Sequence, residues 1–172
     1  MNLLNLYFTP FATALVLVAI YFSEPDKVTK YWSFGILAVS LGVNHWFSKN
    51  TYRFFGWATQ LKIVQVWLTF VWSAALAYLL MPYWAPMWLL LTLPPVTAAM
   101  YQDKWKTLAT GIVCGATLLG LYYLRQRSVG MYLGDSRWAM AAVHAAFIPV
   151  LGVFVHALAQ TALKMRDIGT RV

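Results

Sequence analysis

Three histidines, His45, His144 and His156, fall inside the long apolar stretches of this 172-residue chain. An imidazole at that depth can ligate haem or a metal, move a proton, or hydrogen-bond a ligand or a neighbouring helix. His144 and His156 are twelve residues apart. On one helix that is about 18 Å of rise and about a third of a turn, so the two cannot share a metal. His45 and His156 fall at similar expected depth on different segments, as axial ligation of a b-type haem requires. The alternative is that each histidine bonds an adjacent helix or the interface.

A second group is aromatic and weakly polar: Gln65, Trp67, Thr69, Trp72, Ser73, Tyr78, Trp88, Thr92 and Thr97. Large rings beside a few hydroxyls suit a pocket for a small, mostly apolar ligand, with Trp67, Trp72, Trp88 and Thr92 as its expected lining and His144 as its polar contact. The same residues also serve as packing and lipid anchors. Pro94, Pro95 and Pro149 each remove a backbone donor and free a carbonyl four residues earlier, which bends a helix or makes a hinge. Pro149 lies between His144 and His156, where a hinge would couple a ligand contact to the end of the last segment.

Other chemistry is missing. Asp, Glu, Lys and Arg all lie outside the apolar segments, which disfavours ion-coupled transporters and proton pumps. There is no nucleophile and base constellation, no glycine-rich phosphate loop and no paired-His metal motif, so neither an enzyme nor a metal site is expected. The single cysteine, Cys114, excludes disulfides within the chain and Cys-rich metal sites.

The elements that must hold these residues follow from composition: 61% of the chain is hydrophobic and 10% is charged. A bilayer core needs about 20 apolar residues as helix, and only helices or closed barrels satisfy their own backbone there. The runs lack strand-like alternation, so the expected fold is all-α, a polytopic integral membrane bundle of about six transmembrane helices. They are read at residues 4–22, 31–47, 63–80, 84–100, 107–124 and 138–160, with a tail at 161–172, in one domain. Lys49, Arg53, Lys62, Lys104, Lys106, Lys164, Arg166 and Arg171 lie on one side of this arrangement, and Lys27, Lys30, Arg125, Arg127 and Arg137 on the other. By the positive-inside rule both termini are cytoplasmic. Trp32, Trp46, Trp57, Trp84, Trp105 and Trp138 fall near span ends, where indoles prefer to sit. The net charge of +8 is read as attraction to anionic membrane lipid and not to nucleic acid. No cleavable signal peptide is read at the N-terminus, which lacks a positive n-region.

Small residues spaced four apart, Gly111 with Gly115, Ala116 with Gly120, Ala38 with Gly42 and Ala142 with Ala146, mark close helix approaches. They serve either contacts within the chain or a homodimer.

From residue 84 onward, the layout combines Leu93-Pro94-Pro95, the charged turn Tyr101-Gln102-Asp103-Lys104, a Gly- and Leu-rich span and a last span running into Ala159-Gln160-Thr161-Ala162-Leu163-Lys164-Met165-Arg166-Asp167. This resembles the six-span membrane input region of bacterial sensor histidine kinases of the quorum-sensing receptor type. The chain departs from those proteins in lacking a phosphoacceptor segment and an ATP-binding domain. The resemblance implies a sensor in a bacterial cytoplasmic membrane, whose last helix passes a ligand or bilayer signal to a cytoplasmic kinase or other signalling domain. Two other classes fit the same residues: a substrate-binding subunit of a vitamin or metal importer, and a structural or haem b-bearing subunit of a membrane complex.

Overall fold

In the computed structural model, which describes residues 9–50, 58–129 and 134–169, every regular element is a helix. They are α1 (Thr9–Ser23), α2 (Lys27–Asn50), α3 (Ala58–Leu80), a 3-10 helix (Ala85–Thr92), α4 (Leu93–Tyr101), α5 (Lys104–Val129) and α6 (Asp135–Gly169). Three stretches are long and apolar enough to cross a membrane: Gln60–Leu80, Lys104–Arg127 and Asp135–Ala162. Pro10–Ser23 is a shorter apolar helix. The expected spans 63–80, 107–124 and 138–160 lie inside the three long stretches.

The fourth expected span, 84–100, is not one regular helix, and its prolines explain why. Pro86 opens the 3-10 helix near its first turn, where a missing N–H costs no bond. At its other end Pro94 cannot donate to the Leu90 carbonyl in the α pattern, so Leu93 N–H takes that carbonyl with the tighter 3-10 spacing. The α pattern then begins at Leu93.

The chain forms two compact units, Met1–Leu93 and Pro94–Val172. The first has an apolar core to which each of its helices contributes: Val16, Ala19 and Ile20 from α1, Leu37 from α2, Leu76 and Leu80 from α3, and Met87 and Leu90 from the 3-10 helix. One end of this unit is tied twice. Phe22 stacks on Trp84 with ring centroids 6.0 Å apart. Asp26 caps α2, its Oδ2 accepting from Thr29 N–H at 3.1 Å and its main-chain oxygen from Lys30 N–H at 2.9 Å. Its Oδ1 accepts from the Tyr83 hydroxyl at 2.6 Å. Glu24, at φ 43°, takes the left-handed conformation that reverses the chain between α1 and α2.

In the second unit α5 packs along α6 through small residues. A Cβ on Gly111 would lie 2.5 Å from Pro149 Cα, and one on Gly115 would lie 2.5 Å from the Ala145 carbonyl oxygen. Ala141, Ala145, Ile148 and Gly152 form the buried face of α6, while Met140, Val143, Phe147, Val150, Phe154 and Leu158 point outward. Small residues inside and large apolar residues outside reverse the pattern of a water-soluble bundle. With the helix lengths, this describes a membrane protein.

Candidate functional site

Trp67, Trp72, Trp88 and Thr92 belong to the first unit and His144 to the second. Gln65, Thr69, Trp72 and Ser73 recur at four, seven and eight residues along α3, so they share one helical face. Gln65 is 3% exposed and Ser73 is buried; Trp72 is half-buried. Trp67 falls on the outward face, 49% exposed, in edge contact with Phe70 at 5.8 Å. In the 3-10 helix, which packs on α3, Trp88 is half-buried and Thr92 buried. The Thr92 hydroxyl donates to the Leu89 carbonyl at 2.6 Å.

Several buried polar atoms of the first unit have no partner in the protein: Ser33 Oγ, Gln65 Nε2, Trp72 Nε1 and Trp84 Nε1. A buried polar group left open is costly, and such groups are ordinarily served by water or a ligand. Composition alone marks Gln65 and Trp72 in the sequence. Ser33, fully buried on α2, carried no sequence signal.

His144 is half-buried on the inner half-turn of α6 beside Ala141 and Ala145. Pro149 lies one turn further along. The carbonyl it frees by removing the donor four residues on is that of Ala145, and this is the oxygen that Gly115 approaches. Gly115 thus brings its backbone close to an acceptor that proline leaves without its helical donor, the kind of approach in which Cα–H···O contacts form between helices. Gly152, the remaining small residue of this face, meets Pro95 Cβ at 3.0 Å and Thr107 Cγ2 at 3.5 Å from where its own Cβ would stand.

The two haem candidates fall in different units, His45 exposed on α2 and His156 half-buried on α6. His156 Nδ1 lies 3.2 Å from the Ala99 carbonyl oxygen. Ala99 is in the last turn of α4, whose final carbonyls lack helical donors, so His156 serves as a C-terminal cap. A Nδ1–H given to that carbonyl leaves Nε2 as the lone-pair nitrogen, the form in which histidine ligates metals. Among the described residues no three His, Cys, Asp or Glu side chains gather in a metal-binding group.

Outside the apolar segments, the Asp26 carboxyl is held at about 2, below its ordinary 3.8, by the Thr29 side chain first, then the Tyr83 phenol and the Thr29 amide. Compared with protein-family models, with curated proteins and with solved structures, the chain matches none.

Proposed function

We propose that this chain is a membrane-embedded sensor or receptor module that couples a small hydrophobic ligand or a bilayer signal to a cytoplasmic signalling partner through α6. In this reading it crosses a bacterial cytoplasmic membrane about six times, with both termini in the cytoplasm. The observation that carries it is α6 itself. Its 35 residues form one helix of about 52 Å, well beyond a hydrocarbon core of about 30 Å. Pro149 sits inside that helix and against Gly111 of α5, so a change in the α5–α6 packing bears directly on the proline.

Outward apolar side chains on α6 face lipid, so a stimulus reaches such a protein within or at the membrane.

The test is a fusion of α6 to a cytoplasmic reporter whose parent responds to a stimulus. Pro149→Ala restores the donor to the Ala145 carbonyl and is expected to leave insertion intact while locking the reporter in one state. His144→Ala is expected to weaken the response without locking it. If both variants respond as the parent does, coupling through α6 is refuted.

A further inference from the structure

α3 and the 3-10 helix of the first unit run side by side from the tight turn at residues 81–84, where Trp84 N–H donates to the Leu80 carbonyl. Trp72 lies about 12 Å along α3 from this turn and Leu91 about 14 Å along the 3-10 helix, so the two are level. Each brings an open hydrogen-bonding group to that level. Trp72 Nε1 is a buried donor without a partner. The Leu91 carbonyl is an acceptor that its helix cannot serve, because its 3-10 donor would be residue 94 and its α donor residue 95, and both are proline. Leu90 escapes this through Leu93 N–H, and the Thr92 carbonyl has Val96 ahead of it; Leu91, fully buried, has neither resort. Gln65 Nε2, a second buried and unpartnered donor, lies about 10 Å further along the same face of α3. Beyond Lys62, neither α3 nor the 3-10 helix carries a charged side chain, so nothing there would balance an ionised group.

We propose that this level of the first unit binds the uncharged hydroxyl or secondary-amide head of a lipophilic small molecule. The head accepts from Trp72 Nε1–H and donates to the Leu91 carbonyl. A head that only accepts, such as a ketone, satisfies half of the site, and a hydrocarbon satisfies none of it. This deepens the receptor reading and rests on it for what binding accomplishes.

The test uses the full chain in dodecylmaltoside micelles with 15N-labelled indoles, the Trp72 signal being assigned through Trp72→Phe. The probes are 1-decanol, 2-decanone and decane. The Trp72 N–H resonance is expected to shift saturably with the alcohol and the ketone and not with decane. Saturation with the alcohol should need about fivefold less probe, the worth of one further net hydrogen bond. Pro95→Ala supplies an N–H to the Leu91 carbonyl and should abolish that fivefold advantage while leaving the ketone unchanged. No saturable shift with 1-decanol, as when a bound water already holds the site, overturns the proposal. So does an equal shift with decane, or equal affinity for alcohol and ketone in the parent. Because the readout is contact at one indole, a saturating shift with a silent reporter counts against the receptor reading alone. A responsive reporter with an unmoved indole counts against this site alone.

Discussion

Replacing Gly115 tests the packing on which coupling through α6 depends. An alanine Cβ there would stand 2.5 Å from the Ala145 carbonyl oxygen, against about 3.3 Å for an ordinary close carbon–oxygen contact. The backbones of α5 and α6 would therefore have to part by about 0.8 Å. Overpacking of this kind costs about 1–3 kcal/mol, while alanine in place of glycine returns about 1 kcal/mol of helix propensity. The net expectation for Gly115→Ala is a loss of roughly 0–2 kcal/mol. Gly115→Leu adds three more heavy atoms at the same point and is expected to cost about 3 kcal/mol, the upper end of that range. Gly111→Ala meets Pro149 Cα at 2.5 Å, a backbone atom fixed by its ring, and should cost no less than Gly115→Ala. The two sites strain one helix pair, so their effects should not add fully. Gly120 supplies the control: its Cβ would meet nothing within 4 Å, and Gly120→Leu should match or exceed the parent in stability. Reversible unfolding in mixed micelles, followed by far-ultraviolet circular dichroism, measures all four. Gly115→Leu unfolding together with the parent and with Gly120→Leu would refute the close α5–α6 contact.

Tyr83→Phe removes one of the hydrogen bonds that hold the Asp26 carboxylate, so its titration, followed by carboxyl 13C resonance, should move up from about 2 toward 3.8 without reaching it, because Thr29 remains. Since the folded value is depressed, the stabilisation from Asp26 is complete above 3.8 and is lost as pH falls through about 2; in the variant that loss should come at higher pH, and an identical titration in both proteins would contradict the Tyr83 tie. For topology, Lys27→Cys and Asp103→Cys, made with Cys114 replaced by alanine, place reporters at two exposed positions. An impermeant thiol reagent should label the first in intact cells and the second only after permeabilisation, and labelling of both from outside would defeat the assignment of cytoplasmic termini.

Helix content and the membrane-compatible length of Gln60–Leu80, Lys104–Arg127 and Asp135–Ala162 were legible in the sequence, because long apolar runs without alternation leave the backbone one local solution. The prolines were legible as places where a carbonyl loses its donor, since that follows from covalent structure. What becomes of each freed carbonyl was not. Ala145's is closely approached by Gly115, Leu90's is served by a switch to 3-10 geometry, and Leu91's has no 3-10 or α donor within its helix because two prolines stand in succession. Small-residue spacing named four candidate contact stripes of equal standing. Gly111 with Gly115 became the close approach of α5 to α6, while a Cβ on Gly42 or Gly120 would meet nothing within 4 Å, a choice made by which helix faces which. The tie of Asp26 to Tyr83 joins residues 57 apart, and the contact of His156 with the Ala99 carbonyl spans the same separation. Such pairings carry no local signature. Composition sets the solvent in which this chain folds, because transfer energies add residue by residue. Tertiary structure alone decided which polar atoms are shared between helices and which stay open, because that depends on the positions of groups that the chain brings together only when it packs.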